Sequence, residues 1–312
     1  MRILFMGTPE FARVALESLI RGKFEVIGVV TQPDKPVGRK LILTPPPVKE
    51  FAAANDIKVY QPQTVKGEEF AGLLKEIAPD VIVVAAYGKI IPKNIIDEYA
   101  CINIHASLLP KYRGAAPISA AVMDGEKVTG ITIIRMDEGI DTGDMILKGE
   151  LEIGENETFG ELHDRLAALG GELIVEALNQ IKAGTAKREK QPEEGASYVG
   201  KTDDALREID WGLTAVRIHD KIRGLSPVPA AFTWLNGKKL KIYKSKISEN
   251  ILDGEYRNGE VININNSGKV IEIKAGGKII EILELQIEGG KKMSAADFIN
   301  GRKIEKGAVL GE

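Results

Sequence analysis

This sequence has little of the chemistry on which disulfide-built, zinc-built and membrane-spanning proteins depend. It has one cysteine, Cys101, in 312 residues, so no disulfide can close within the chain and a reducing compartment is expected. Cys101 sits in an apolar run and reads as a packing residue, not a reactive thiol. Three histidines and one cysteine are too few for a structural zinc site, so no metal is expected. No apolar run reaches the roughly 18 residues that cross a bilayer, so no membrane partner is expected. The apolar start, MRILFMG, is too short for a secretion signal and runs directly into a strand–turn–helix pattern. The expected location is therefore cytoplasmic. There are also no internal repeats and no low-complexity tracts.

Net charge is small as well, at −3, which argues against a grossly basic nucleic-acid protein. The sum hides a modest asymmetry. From residue 207 onward there are 18 Lys and Arg against 14 Asp and Glu, and before it 24 against 31. A mildly basic C-terminal part suits contact with a polyanion, although an ordinary solvated surface gives the same balance. What remains is a composition of 44% hydrophobic and 28% charged residues, that of a globular chain. Its length suggests two domains, each able to bury a core. Nothing in it demands more than a monomer.

The first 185 residues alternate strand and helix. RILFMG (2–7) reads as a strand. The following helix starts near Thr8 as N-cap with Pro9 at its first position, and it stops at Gly22. FEVIGVVTQ (24–32), DVIVVAAYG (80–88), CINIHAS (101–107) and TGITIIRMD (129–137) read as further strands. Residues 67–78, 116–125 and 158–184 read as helices. Repeated strand–helix order predicts an α/β domain with a mainly parallel sheet and helices on both faces. Residues 186–206 are charged, contain Pro and Gly, and have no period, so they read as a linker. Two short helical pieces, DALREIDW and AVRIHDKIRG, lead into residues 207–312. Five alternating strands follow, separated by Asn-Gly, Ser-Gly and Gly-Gly turns. That pattern predicts a small all-β, OB-like barrel domain.

The chemistry concentrates in CINIHASLLPKYRGAAPI (101–118). Side chains alternate across a strand, so Asn103, His105 and Ser107 share one face. Ligands of open parallel sheets bind beyond the carboxyl ends of the strands, which is where this polar face ends. An Asn amide there can donate to a developing oxyanion, and a His can donate or move a proton. The candidate to orient the imidazole is Asp141 in the acid-rich turn DEGIDTGDM (137–145), expected at the same sheet edge. Taken alone, a strand histidine is more often a satisfied core residue and DTGD more often a simple turn. Their combination points to an acyl-transfer type of site. GTPEF lacks the further glycines of a dinucleotide fingerprint. His163 and His219 have no polar company suggesting chemistry and read as structural or surface residues.

NIHASLLPKYRGAAPI together with IDTGD resembles the signature of the 10-formyltetrahydrofolate-dependent formyltransferases. The resemblance extends over essentially the whole chain, including the order of Rossmann-like domain, linker and β-barrel. It implies a catalytic trio of Asn103, His105 and Asp141, with 10-formyltetrahydrofolate as formyl donor and co-substrate. Folate contacts are expected from Ser107, Leu108, Leu109 and Pro110 and from Gly88 and Ile90 in the loop after DVIVVAAYG. The opening FMGTPEFA and the insertion TQPDKPVGRK narrow the implied acceptor to the initiator methionyl-tRNA. Lys35, Arg39 and Lys40 are then the nucleic-acid contacts and 207–312 the tRNA-binding domain. A small amine or water is the alternative acceptor. GKKLKIYKSK (237–246) reads equally as a phosphate-contacting face or as a charged edge that discourages aggregation. Many relatives carry Trp-Pro where this chain has Val228 and Pro229.

Overall fold

A computed structural model describes residues 1–38, 41–265, 269–301 and 303–311 of the chain. It divides into two compact units. The first comprises Met1–Gly114, Thr129–Leu151 and His163–Val199; the second comprises Ala115–Val128, Glu152–Leu162 and Gly200–Glu312. The helix Pro117–Met123, which the sequence pattern puts among the early strand–helix repeats, therefore groups with the C-terminal part.

The first unit is built on a seven-stranded sheet. From one edge its strands are Asp144–Glu152, Val128–Arg135, Ala100–His105, Val81–Ala85, Arg2–Gly7, Glu25–Val30 and Val59–Tyr60. The pairings among the last five are parallel. The order reverses between Arg2–Gly7 and Val81–Ala85, which creates a crevice at their carboxyl ends. Val81–Ala85 is buried along its whole length, as an unbroken apolar run in the middle of a covered sheet should be. The helix Glu10–Arg21 buries Phe11, Ala12, Ala15, Leu16 and Leu19, a spacing that keeps them on one stripe. Burying a side chain of the Leu or Phe size stabilises the fold by roughly 1.5–3 kcal/mol.

Several expectations are corrected here. Thr8 is not the helix cap: Pro9 holds that position without a side-chain bond, and the Thr8 hydroxyl donates instead to the Tyr87 carbonyl at 3.1 Å. Asp144–Glu152 is a strand that was not read from the sequence, its first two residues lying in the turn 137–145. The strand Val128–Arg135 runs antiparallel to Ala100–His105, with Arg135 opposite Ile102 and Thr132 opposite His105. The segment expected as a featureless linker is ordered up to Val199. Glu189 pairs with Met145, and Tyr198–Val199 pairs in parallel with Arg113–Gly114. Its polar sequence concealed this because the segment is held by backbone pairing and single polar side chains, with no apolar period. The long helix Phe159–Ala183 lies where the pattern put it. Thr158 and Glu161 form its capping box, with the Glu161 carboxylate accepting from Thr158 N and the Thr158 hydroxyl from Glu161 N.

In the second unit five antiparallel strands follow the order Ala231–Leu235, Lys238–Ile247, Lys278–Ile287, Val270–Ala275 and Val261–Asn265. The short strand Met293–Ser294 pairs with Lys278–Ile287. Helices Ala215–Gly224 and Ala295–Asn300 add Ile218, Ile222 and Phe298 to a core containing Ile271, Ile273 and Ile280. Lys238–Ile247 lies between two partners, so it is not an edge strand. Lys239 lies over the Phe232 ring at 3.9 Å, and Lys246 pairs with Glu281 at 3.0 Å.

Candidate active site

The polar face read from the sequence is present and it is buried. Asn103 is 9% exposed and His105 5%, on the strand Ala100–His105. Burial of such groups costs roughly 1–3 kcal/mol each when they lack partners, so the partners define the site. Asn103 Nδ2 donates to Asp141 Oδ1 at 3.2 Å. The other carboxylate oxygen, Oδ2, accepts from the Gly114 amide at 2.9 Å and lies 3.5 Å from His105 Nδ1. His105 Nε2 is 2.9 Å from the Tyr112 carbonyl. A carbonyl can only accept, so Nε2 carries a hydrogen. The amide, the imidazole and the acid thus come together.

Asp141 reaches this point by a different route from the one expected. Because Val128–Arg135 is antiparallel to its neighbour, its carboxyl end lies beside Ile102. Residues 136–143 turn back along the polar face to deliver the carboxylate. The turn is tight, and its glycines are required by close approach. A Cβ on Gly143 would lie 2.0 Å from the Arg135 carbonyl, and one on Gly139 1.9 Å from Thr142 Oγ1. Asp137 accepts from Gly139 N and from the Thr142 hydroxyl. Asp141 itself has φ +54°, in the left-handed region that Asp tolerates better than most residues.

The residues expected to meet folate fall into two groups. Ser107 is fully buried and its hydroxyl donates to the Lys111 carbonyl at 2.6 Å. Leu109 packs with Ile134 and Met145. Leu108 lies over Gly130, where an added Cβ would come within 2.6 Å of it. What this loop, including Pro110, offers a ligand is therefore mainly backbone. Thr132 holds it in place: its hydroxyl donates to the Ser107 carbonyl and accepts from Leu109 N. On the loop after Val81–Ala85, Gly88 has φ +82° with Gln32 Nε2 only 2.5 Å from where its Cβ would be. Ile90 is 74% exposed there. Lys35 begins a hairpin, Lys35–Val37 with Ile42–Thr44, and its ammonium donates to Gln32. Arg39 and Lys40 lie outside the described residues.

Other side chains that hold the site were not singled out from the sequence. Arg113, 1% exposed, donates from Nε to Gln191 Oε1 at 3.0 Å and from Nη1 to Tyr198 OH at 3.0 Å. Gln191 and Ser197 bond to the loops around His105. Arg113 was inside the quoted motif, but Gln191 and Ser197 carried no signal in a stretch without period. Among the described residues no group of three or more His, Cys, Asp or Glu side chains is placed to hold a metal ion, and no helix is long and apolar enough to cross a membrane.

Comparison with known proteins gives the same picture along the chain. Residues 1–178 match the family described as formyl transferase, and residues 201–303 match the formyl transferase C-terminal domain. The methionyl-tRNA formyltransferase of Acetivibrio thermocellus is 46% identical, over 100% of both chains. That of Caldicellulosiruptor saccharolyticus is 49% identical over 99% of this chain and 100% of its own. Among solved structures, the N-formyltransferase of Helicobacter canadensis in complex with folinic acid and dTDP-3-aminofucose aligns with a TM-score of 0.67 at 22% identity. That alignment covers 90% of this chain and 98% of the other. WlaRD, a sugar 3N-formyl transferase, aligns at 0.66 and 22% identity over 93% and 99%. At such identities the likeness is one of fold.

Proposed function

The chain belongs to the formyl transferase family, and from that premise we propose that it transfers the formyl group of 10-formyltetrahydrofolate to the α-amine of methionine on the initiator methionyl-tRNA. The convergence of Asn103 and His105 on the Asp141 carboxylate, at 3.2 and 3.5 Å, carries this reading. Whole-length likeness to methionyl-tRNA formyltransferases supports the choice of acceptor.

The neutral amine attacks the formyl carbon, a C–N bond forms, and the carbonyl electron pair moves onto oxygen. Asn103 donates to that oxygen through its second amide hydrogen, and His105 joins it once its Nε2–H turns from the Tyr112 carbonyl to the oxyanion; removing one such donor typically costs about 2.7–4 kcal/mol of barrier. Asp141 fixes the amide and the ring at once, because one carboxylate serves both. The oxyanion then re-forms its double bond, the bond to N10 breaks, and the proton lost by the amine ends on N10. The remaining acceleration comes from holding two reactants in attack geometry. The folate lies against backbone of the loop 107–110 and beside Gly88 and Ile90. Residues 1–185 act as the catalytic part and 207–312 as the tRNA-holding part, with Lys35, Arg39 and Lys40 as further tRNA contacts.

The test is a formylation assay with charged initiator tRNA, a free amino sugar and water offered separately. Formylmethionyl-tRNA as the product supports the proposal. Formylation of the small amine alone, or release of formate alone, would assign the chain to another acceptor.

A further inference from the structure

We propose that residues 189–199 form a clasp that sets the imidazole and the carboxylate of the site, with Gln191 and Ser197 as its positioning residues. This rests on the reading of Asn103, His105 and Asp141 as the catalytic centre.

The argument begins from backbone conformation. Two non-glycine residues that flank His105 have positive φ: Tyr112 at 61° and Asp141 at 54°. Residues with side chains rarely adopt this region and keep it only where their surroundings over-determine it. Both of them act on the same ring. The Tyr112 carbonyl faces Nε2 at 2.9 Å, and Asp141 Oδ2 lies 3.5 Å from Nδ1. The direction of the imidazole therefore follows from where these two residues are held.

Both are held from one segment. Ser197 Oγ accepts from Tyr112 N at 2.8 Å, and the Ser197 carbonyl accepts from Arg113 N at 2.8 Å. The Gln191 amide donates to the Asp141 carbonyl at 2.7 Å and to the Gly143 carbonyl at 2.8 Å. Its oxygen accepts from the buried Arg113. The neighbours fix the sense of this amide, because the opposite orientation would aim its oxygen at two carbonyls and its NH2 at a guanidinium. Both donors and one lone pair of the Gln191 amide are thus occupied, three of its four hydrogen-bonding directions, two of them by backbone on either side of Thr142. A surface glutamine that merely packs would show no such closure. Backbone pairing of Glu189 with Met145 and of Tyr198–Val199 with Arg113–Gly114 anchors the two ends of the clasp.

The test is single-turnover formyl transfer by the full-length chain, for Gln191→Ala, Ser197→Ala, Asp141→Ala and the double variant Gln191→Ala with Asp141→Ala. A misplacement of catalytic groups by about 1 Å costs on the order of 100-fold. Gln191→Ala is therefore expected to lower kcat by roughly 10- to 100-fold, with KM for folate and tRNA within about twofold of the parent. Because Gln191 acts through Asp141, its loss should add less than about twofold in the Asp141→Ala background. Should Gln191→Ala fold poorly, Gln191→Glu keeps the oxygen facing Arg113 and replaces only the donating NH2; it is expected to show the same loss. Parent-like kcat in a folded Gln191 variant overturns the clasp, and so does a full additive loss in the double variant. Parent-like activity of Asp141→Ala would instead overturn the reading of the site itself.

Discussion

Replacing Asp141 by Asn is the sharpest perturbation of this site, because it keeps shape and removes only charge and one acceptor. The carboxylate accepts from Asn103 Nδ2 through one oxygen and from Gly114 N through the other, with His105 Nδ1 3.5 Å from the second. An Asn at this position must put its NH2 where one of those oxygens was. One choice sets it against the Gly114 amide, donor against donor; the other sets it against Asn103, whose own amide must then present its oxygen and withdraw its donor from the site. A buried donor left unpaired costs about 1–3 kcal/mol, and loss of a charge-assisted contact costs about 1.5–3 kcal/mol. The unpaired donor is a cost to the fold, whereas loss of the charge-assisted contact to the imidazole raises the barrier by roughly 1.5–3 kcal/mol, which at 1.36 kcal/mol per decade is between one and two decades in kcat. Asp141→Ala should cost a similar amount of rate but less stability. The position is 15% exposed, so water can enter the space and satisfy Asn103 and Gly114. The chemically milder change is thus expected to give the lower melting temperature. Rapid-quench formyl transfer at saturating folate, with thermal melts of both variants, measures the two effects. A kcat for Asp141→Asn within fivefold of the parent, or a melting temperature above that of Asp141→Ala, would refute the reasoning.

Three further outcomes follow from the same geometry. Gly143→Ala places a Cβ 2.0 Å from the Arg135 carbonyl, so it should destabilise by roughly 1–3 kcal/mol and lower kcat by displacing Asp141; denaturant melts and turnover check both. His219 is buried among Ser245, the Glu155 carbonyl, Asp220 and Arg223, and burial holds its pKa below the ordinary 6.5. The unfolded chain then binds the extra proton, so stability is full above about pH 6.5 and falls as pH drops below it. Equilibrium unfolding of the parent and of His219→Asn at pH 7.5 and pH 5.5 should show the parent losing more. Burial pushes the Cys101 thiol up to about 11, so a disulfide reagent at pH 7.5 should label none of it in the native protein and one equivalent after denaturation.

Much of this site was legible because strand alternation is a strict rule. Once CINIHAS is a strand, Asn103 and His105 must share a face, and the carboxyl end must carry the ligand. The identity of their third partner was legible only as composition. An acidic turn with two glycines announces a tight loop, but nothing local reveals that Val128–Arg135 runs antiparallel and that the loop returns along the sheet face. The missing strand Asp144–Glu152 has a related cause. It alternates, but its first residues overlap the turn that attracted the reading. The short elements Val59–Tyr60 and Lys93–Glu98 are too brief for any period to register. Gln191 was beyond reach for a different reason. A single amide that bonds to three distant groups leaves no pattern in its own neighbourhood.

The polar strand face also bears on why chemistry and folding are linked in this unit. Asn103, His105 and Ser107 are all at least nine-tenths buried, and each has a partner outside its own strand: Asp141 for Asn103, the Tyr112 carbonyl for His105, and the Lys111 carbonyl for Ser107. Without those partners the strand would bury three polar side chains at about 1–3 kcal/mol each, a sum comparable to the whole stability of many domains. The two loops are therefore as necessary to the strand as the strand is to the reaction. Natural substitutions that loosen either loop should lose stability and turnover together, whereas changes in the outer strands Lys35–Val37 and Ile42–Thr44 should alter tRNA affinity with the melting temperature unmoved.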